Sequence, residues 1–288
     1  MKVDNAIIMA AGTSSRFAPL SYEKPKSLIE VKGEILIERQ IMQLKEAGIP
    51  EIYIVTGYKA DQFVYLKEKY GVKLIHNPNY LTRNNNGSIW CVRNILHNSY
   101  ICSSDNYFMM NPFESDVAEC YYAAEFSEAH TAEWCMTEDE YGFIDSVTIG
   151  GENAWYMIGH AYFNKAFSDP FVRILEKEYE ASETRQGYWE DVYIRHISEL
   201  PMKINRYANG DIFEFDTLDE LRKFDDSYVS DTRSAIIKDI CSEHGWAEND
   251  LKEFRKVKFE GNALQFRFKV GNTHYLYDNL SDKKLRII

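Results

Sequence analysis

A glycine-bearing turn followed by basic residues is the first feature of the sequence that could do chemistry. It lies in MAAGTSSRFAPLSYEKPKSL, residues 9–28, where small residues flank Gly12 and where Arg16, Lys24 and Lys26 follow. Small residues let backbone N–H groups approach phosphate oxygens, and cationic side chains compensate the phosphate charge. The stretch lacks the spacing of a P-loop and the three glycines of a dinucleotide fingerprint. It therefore predicts a site for another anion, against the alternative of an exposed turn with solvated cations.

The elements that must position this turn alternate between strand and helix. NAIIMA (5–10) is a continuous apolar run, typical of a strand buried on both faces of a parallel sheet. Helical and strand patterns alternate as far as SYICSSD, which ends at Asp105, and mostly strand-like runs follow from about residue 119. This order predicts an α/β fold with a doubly wound, mixed sheet, in which ligands bind beyond the carboxyl ends of strands. Gly12 and Asp105 both follow such ends.

The sequence after residue 224 indicates a second, smaller module. DDSYVSD (225–231) is polar and predicts a boundary, so the expected domains are residues 1–226 and 230–288. Two helical stretches and a meander of three short strands follow, with turns at Gly261-Asn262 and Gly271-Asn272. The second domain is therefore expected to be a small α+β appendage.

Composition excludes several classes of partner. The chain has 288 residues, 45% of them hydrophobic, and a formal net charge of −12 at pH 7. Because nucleic acids are bound through clustered Lys and Arg, this charge argues against a nucleic-acid partner. We expect no membrane span and no secretory signal, hence a cytoplasmic protein. The five cysteines lack metal-site spacing and should be reduced and mainly buried.

The opening stretch resembles the signature of the sugar-nucleotide pyrophosphorylase-like nucleotidyltransferases. That signature reads approximately L-A-A-G-x-G-x-R-L-x-P-L-T, followed by K-P-K-A-L, and this chain has Met9 for the leucine and Ser14 for the second glycine. NSYICSSDNYFMMNPF and GYWEDVYIRHISELPMKIN resemble the bacterial phosphocholine cytidylyltransferase branch of the family, in a match covering about residues 1–226. The resemblance implies a Rossmann-like nucleotidyltransferase fold. The lysine motif of sugar-specific relatives is missing between 120 and 165, which fits a non-sugar acceptor.

The reaction implied by the resemblance is nucleotidyl transfer from CTP to phosphocholine, giving CDP-choline and pyrophosphate without a protein nucleophile. Catalysis then consists of aligning two anions and neutralising their repulsion. By motif position, Arg16 and Lys26 contact phosphates, and Asp105 and Asp216 hold Mg²⁺, which takes one or two carboxylates together with substrate phosphates. Lys26, Arg16 and Asp105 are the expected catalytic residues. Either aspartate could instead cap a turn or a helix.

For the nucleotide, the resemblance implies the first loop and a short polar segment before a helix. The latter is similar to Asn85-Asn86-Gly87-Ser88, although this cluster could equally be an ordinary helix cap. A preference for cytosine over uracil cannot be read from it. The residues expected to bind the nucleotide are Ala10, Ala11, Gly12, Thr13, Arg16, Lys26, Asn86, Gly87 and Ser88.

Aromatic residues beside acidic ones in the similar segments are the candidates for a choline site. A quaternary ammonium cannot donate a hydrogen bond, so its site should use aromatic faces and a nearby carboxylate. With 5 Trp and 20 Tyr, most aromatic side chains are simply core, so Trp134 and Tyr188 are the first choices and Trp155 is a more distant one. The expected choline-binding residues are Glu133, Trp134, Tyr188, Trp189, Glu190 and Asp191.

Residues 230–288 resemble the first strands of a choline kinase amino-terminal lobe. The chain ends before a kinase catalytic loop could occur, so we expect a remnant or a docking module without kinase activity. Every residue assigned to chemistry precedes residue 217. Deletion of 231–288 is therefore expected to leave the transfer reaction largely intact.

Three other functions fit parts of this pattern. A cytidylyltransferase for 2-aminoethylphosphonate or another small phosphoryl amine would need a primary-amine site. A glycosyltransferase-like enzyme that uses a nucleotide sugar could take SSDN as its metal site, but the triphosphate loop at 12–26 argues against a diphosphate donor. A catalytically inactive nucleotide sensor is disfavoured because the loop, Lys26 and both aspartates are present. CTP and phosphocholine are thus the expected small-molecule partners, and a homodimer is allowed.

Overall fold

The protein is described by a computed structural model, which covers residues 1–257 and 264–288. The strands, numbered in chain order, are β1 (Asn5–Ala10), β2 (Glu30–Val31), β3 (Glu34–Ile35), β4 (Ile52–Thr56), β5 (Lys73–His76), β6 (Ser99–Ser103), β7 (Asn106–Phe108), β8 (Tyr121–Ser127), β9 (Thr131–Glu138), β10 (Ile144–Gly151), β11 (Ala154–Phe163), β12 (Lys203–Arg206), β13 (Ile212–Glu214), β14 (Leu251–Lys256), β15 (Gln265–Val270), β16 (Thr273–Asp278) and β17 (Leu285–Ile287).

Three α-helices of the described residues have ten or more residues, and the others have four to seven. They are α1 (Leu20–Glu23), α2 (Leu36–Glu46), α3 (Tyr65–Tyr70), α4 (Asn86–Val92), α5 (Lys165–Glu178), α6 (Ser182–Arg185), α7 (Trp189–Arg195), α8 (Leu218–Phe224), α9 (Ser227–Ser230) and α10 (Ala235–His244). Among the described residues, no helix has the length and apolar character needed to cross a membrane. All five cysteines are free thiols and four of them are buried, as expected.

The chain divides into two compact units. Unit 1 consists of Met1–Gly12 and Ile37–Glu214, and unit 2 consists of Thr13–Leu36 and Phe215–Ile288. This division differs from the expected domains, because the segment that follows Gly12 groups with the C-terminal residues rather than with the large sheet.

The large sheet of unit 1 runs in the order β10-β9-β11-β6-β1-β4-β5, and β8 pairs with both β11 and β12. Strands β6, β1, β4 and β5 are parallel, whereas β11 joins β6 antiparallel. This confirms the predicted mixed α/β sheet. Ala6, Ile7 and Ile8 of β1 are fully buried, which explains why the strand is continuously apolar instead of alternating.

The carboxyl ends of β1 and β6 lie side by side at one edge of this sheet. Met9 is in register with Ser103, and the N–H of Ser104 donates to the Met9 carbonyl at 3.3 Å. The chain at Ala11 and the turn at Asp105 therefore leave the sheet at the same edge, as the sequence predicted. In an open α/β sheet this is the edge where ligands bind.

Unit 2 is built on a four-stranded antiparallel sheet, β14-β15-β16-β17. Phe254, Phe266 and Phe268 from this sheet are buried. The predicted turn at Gly271-Asn272 joins β15 to β16, whereas the one at Gly261-Asn262 lies outside the described residues. Strand β17 was missed, because LRI is too short to show a strand pattern.

Ser14 adopts the left-handed backbone conformation, with φ 47° and ψ 45°. This is the position where the family signature has its second glycine. A side chain with a Cβ costs roughly 1–2 kcal/mol in that region relative to glycine. The turn is therefore strained at the point where this chain departs from the signature.

We predict that Ser14→Gly raises the free energy of unfolding by about 0.5–1 kcal/mol, because relief of the left-handed strain exceeds the added entropy of the unfolded glycine. Urea titration followed by far-UV circular dichroism measures this. Ser182→Gly, at the first residue of α6, is the matched control and should lower stability instead. Equal effects of the two changes would show that φ at residue 14 carries no strain.

Candidate functional site

In unit 2, the carboxylate of Asp216 lies between two cationic side chains, Arg16 and Lys26. Asp216 Oδ2 lies 2.6 Å from Arg16 Nη1, and Asp216 Oδ1 lies 3.8 Å from Lys26 Nζ. The Lys26 side chain is only 3% exposed, whereas that of Arg16 is 72% exposed. A buried ammonium is costly without a counter-charge, so Asp216 stabilises Lys26 in its buried position. The structure thus brings together three of the residues chosen from the sequence.

Asp216 is held in place by the start of α8. Thr217 is the cap residue, and its hydroxyl accepts from the Glu220 N–H. The Glu220 carboxylate accepts from the N–H groups of Asp216 and Thr217 at 2.7 and 3.1 Å. Because Thr217 caps the helix, the Asp216 carboxylate is left for the two cations.

The end of β1 is packed against Gly57 and Tyr58 of unit 1. Ala10 and Ala11 are buried, and the Ala11 carbonyl accepts from the Tyr58 N–H at 3.0 Å. A Cβ on Gly57 would lie 2.9 Å from that carbonyl oxygen, so glycine is required there. Sequence reasoning missed Gly57, although a glycine directly after a strand is a signal for close backbone packing.

Gly12 differs from Gly57 in its surroundings. Within the described part of the chain, no heavy atom lies within 4 Å of the position that a Gly12 Cβ would take. The backbone here is open to an approaching group, and the assignment of Gly12 to a phosphate stays a prediction. Thr13, the first residue of unit 2, is half-buried.

Asp105 lies in the two-residue turn between β6 and β7 and is half-buried. Ser103, the last residue of β6, is held by α2, because Gln40 Nε2 donates to the Ser103 carbonyl at 3.0 Å. The predicted location at a strand end is confirmed. The assignment of Asp105 to a metal stays a prediction.

The asparagines at the start of α4 are bonded to the chain that enters α7. Asn85 Oδ1 accepts from the Trp189 N–H at 2.7 Å, and Asn86, which is fully buried, donates to the carbonyls of Thr184 and Gly187. These hydrogen bonds fix the backbone of the residues that lead into α7.

The side chains expected to face a nucleotide are thus enclosed within unit 1. Ser88 accepts from Asn77 Nδ2 at 3.3 Å, and a Cβ on Gly87 would meet Arg83 at 3.2 Å. The packing of Asn86, Gly87 and Ser88 is that of a helix start, and their assignment to the nucleotide stays a prediction.

Glu190 is a buried carboxyl group with both oxygens hydrogen-bonded. Asn85 Nδ2 donates to Oε2 and the Tyr122 hydroxyl donates to Oε1, each at 3.1 Å. Burial raises the pKa of Glu190 from 4.5 to about 7, because desolvation of the anion outweighs these two hydrogen bonds. Glu190 is therefore only partly ionised at neutral pH, and its assignment to a choline site stays a prediction.

Trp134 of β9 and Tyr188, the residue that precedes α7, form an aromatic pair. Their ring centroids are 5.7 Å apart and the rings are nearly perpendicular, at 87°. Trp134 is half-buried and Tyr188 is 45% exposed. The structure thus brings together the two aromatic residues that were the first choices, and two perpendicular faces can form adjacent walls around an organic cation.

Trp189 is a correction, because its ring is part of the core. The residue is 1% exposed, its indole stacks on Tyr122 with centroids 5.7 Å apart, and Phe163 contacts it edge-on at 5.0 Å. Trp155 is likewise engaged, edge-on to Phe126 at 5.2 Å. The Trp189 ring is therefore enclosed in the core, whereas Trp155 is half-buried, as Trp134 is.

Asp191 and Glu133 are the two remaining acidic residues that were expected at the choline site. Asp191 Oδ2 accepts from the Tyr188 N–H at 2.7 Å, so this carboxylate fixes the backbone of Tyr188. Glu133 precedes Trp134 in β9, and successive strand residues point to opposite faces. Glu133 therefore does not share a face with Trp134.

Comparison with known proteins decides the family. Residues 6–111 match the model of the MobA-like NTP transferase domain. The choline-phosphate cytidylyltransferase of Streptococcus pneumoniae is 33% identical over 77% of this chain and 96% of its own length. The 2-aminoethylphosphonate cytidylyltransferase of Lancefieldella rimae is 37% identical over 80% of this chain and 95% of its own length. The chain belongs to the cytidylyltransferase family.

Solved structures agree with this assignment of a nucleotidyltransferase. The CTP:phosphocholine cytidylyltransferase of Streptococcus pneumoniae has a TM-score of 0.75 at 33% identity and covers 79% of this cytidylyltransferase and 99% of its own chain. The inositol-1-phosphate CTP transferase of T. maritima, 15% identical with a TM-score of 0.60, shares the fold alone. The predicted fold and family resemblance are confirmed.

The buried Glu190 generates a pH-dependence prediction. The unfolded chain releases this proton near pH 4.5 and the native chain near pH 7, so native stability falls as pH rises through that window. Relative to Glu190→Gln, we expect wild type to lose about 3 kcal/mol of unfolding free energy between pH 4.5 and 8. Urea titrations at several pH values measure the difference. Glu133→Gln, at an exposed position, is the control, and its stability should depend on pH as that of wild type does. Parallel curves of stability against pH for all three proteins would contradict a raised pKa of Glu190.

Proposed function

We propose that this cytidylyltransferase transfers the CMP group of CTP to phosphocholine, giving CDP-choline and pyrophosphate. The observation that carries the proposal is the perpendicular, partly exposed pair of Trp134 and Tyr188. A trimethylammonium group has no N–H to donate, and aromatic faces attract such a cation. The relative from Streptococcus pneumoniae is named for choline phosphate and supports the same acceptor.

The carboxylates near this pair favour a quaternary over a primary ammonium. A primary ammonium carries three N–H donors and needs acceptors for them. Asp191 is bonded to the Tyr188 N–H, and Glu190 is bonded to Asn85 and Tyr122 and keeps its proton up to about pH 7. Those carboxyl groups are already used by the fold, whereas the ring faces are partly exposed.

A second acceptor, 2-aminoethylphosphonate, is favoured by one observation. The relative from Lancefieldella rimae that is named for it is 37% identical to this chain, against 33% for the relative from Streptococcus pneumoniae. Both acceptors combine a phosphoryl group with an ammonium, and they differ in the methylation of the ammonium and in the linkage of the phosphorus, which is an ester in phosphocholine and a C–P bond in the phosphonate. The aromatic pair is therefore the place where the two functions separate.

In the proposed reaction, a phosphate oxygen of phosphocholine bonds to the α-phosphorus of CTP. The bond from that phosphorus to the oxygen bridging to the β-phosphate breaks, and its electron pair leaves with pyrophosphate. Arg16 and Lys26 would stabilise the charge that develops on the leaving group. Since Asp216 pairs with both cations, the triphosphate would compete with this carboxylate for them.

We propose magnesium as the cofactor, with Asp105 and Asp216 as its protein ligands. Among the described residues, no three His, Cys, Asp or Glu side chains cluster as a metal site. That fits Mg²⁺, which uses one or two carboxylates and completes its shell with water and substrate phosphates. The ion would supply charge neutralisation of the triphosphate.

We predict that Trp134→Ala raises the KM for phosphocholine about thirtyfold, because a desolvated cation–π contact is worth about 2 kcal/mol. The KM for CTP should hardly change. Tyr188→Phe is the matched control, since it keeps a ring face and should retain phosphocholine use. Pyrophosphate release measured with phosphocholine, phosphoethanolamine and 2-aminoethylphosphonate separates the acceptors. Loss with every acceptor and with CTP alike would make Trp134 a packing residue, and a wild-type preference for 2-aminoethylphosphonate would replace the proposed acceptor.

We further predict that Asp105→Asn lowers kcat at least a hundredfold without unfolding the protein, since it removes a charge from a half-buried turn and little packing. The measurement is pyrophosphate release across a magnesium titration, with circular dichroism as the check on folding. Asp61→Asn, an exposed aspartate in a short helical turn, should keep full activity. Activity within about threefold of wild type would remove Asp105 from the metal site.

A further inference from the structure

The segment Thr13–Leu36, which carries Arg16 and Lys26, has little regular structure of its own. Its longest element is the four-residue α1, and β2 and β3 have two residues each. A segment built of such short elements gains stability from other parts of the molecule that hold it. In unit 2, residues after Phe224 provide that support.

The end of the segment is bonded to the chain around α9. Asp225 Oδ2 accepts from the Lys32 N–H at 2.7 Å, and the Tyr228 hydroxyl donates to the Glu30 carbonyl at 2.6 Å. Both contacts join a C-terminal side chain to a main-chain group. They therefore fix the backbone of the segment itself.

The middle of the segment is bonded to α10 and to the small sheet. The Glu23 carboxylate accepts from the Ser234 hydroxyl and, at 2.8 Å, from the Ala235 N–H at the start of α10. The Tyr22 hydroxyl donates to the Gln265 carbonyl at 2.7 Å. Glu23 and Tyr22 lie between Arg16 and Lys26 in the sequence, so the connection between the two cations is anchored to C-terminal elements.

The basic turn receives a further cation from β14. Lys256 Nζ donates to Ser15 Oγ at 2.9 Å. Ser15 begins the helical turn Ser15–Phe17, which contains Arg16. Lys256 therefore fixes the turn immediately before Arg16 and adds positive charge beside it.

We infer that residues 225–257 and 264–288 are a working part of the triphosphate site: they hold the basic segment in place, and Lys256, through Ser15, positions the turn that carries Arg16 for the phosphates of the nucleoside triphosphate. The inference rests on the proposed function. It replaces the expectation that residues 230–288 are a remnant that transfer does not need.

Pre-ordering the turn should affect the nucleotide more than the acceptor. A turn that is already fixed loses less conformational entropy when the triphosphate binds. Lys256 also adds charge that favours a polyanion, and this effect falls with ionic strength. Lys256 is thus a positioning residue for nucleotide binding.

The test uses the full-length protein and Lys256→Met. We expect the Kd for CTP and the Ki for pyrophosphate to rise about tenfold, with an unchanged KM for the acceptor and an unchanged Tm. Lys252→Met, another exposed lysine of β14, is the matched control and should behave as wild type. Lys256→Arg keeps a donor for Ser15 and should restore most of the affinity. CTP affinity equal to wild type in Lys256→Met would overturn the inference.

A double-mutant cycle with Ser15→Ala tests the route of the effect. If Lys256 acts through Ser15, the Ser15→Ala variant should lose comparable CTP affinity, and the double variant should lose little more. Fully additive losses would overturn the positioning role. Failure of the proposed function is distinguishable, because wild type itself would then release no pyrophosphate from CTP with any phosphoryl amine.

Discussion

The charge pairing of Asp216 with Arg16 and Lys26 is the constraint on which the chemistry of unit 2 depends. An ammonium as buried as that of Lys26 requires a nearby anion, and the fold supplies one at a fixed position. The position is fixed because Thr217 caps α8 and Glu220 binds the Asp216 backbone. Under the proposed function, the phosphates of a nucleoside triphosphate would compete with Asp216 for the same two cations.

The parts of the fold that follow from local sequence were predictable. The apolar run of β1 and the alternation of strands and helices indicated the sheet, and the ends of β1 and β6 followed from it. What local pattern could not reveal is which of two adjacent aromatic residues is buried. Tyr188 and Trp189 lie at the start of the same helix, and only the packing of Trp189 on Tyr122 decides that its ring belongs to the core.

The non-local contacts of the site were equally hidden. Glu190 is buried through contacts with Tyr122 and Asn85, and a glutamate gives no sequence signal for burial because this residue type is almost always exposed. Lys256 and Ser15 are 241 positions apart, a separation at which no periodicity carries information. The compact units are defined by contacts between residues far apart in sequence. A domain boundary predicted from composition near residue 226 therefore does not coincide with the division between the two units.

The position of the Tyr188 ring depends on the start of α4. Asn85 binds both the Trp189 N–H and the Glu190 carboxyl, and Asn86 binds the Gly187 carbonyl, so these two asparagines hold the residues on either side of Tyr188. Moving the backbone at Tyr188 would break several partly buried hydrogen bonds, each costing about 1–3 kcal/mol if left unsatisfied. Under the proposed function, an acceptor would therefore be selected by its fit to aromatic faces carried on a fixed backbone. A fixed, apolar surface suits a methylated ammonium, which needs no rearrangement of donors and acceptors to be bound.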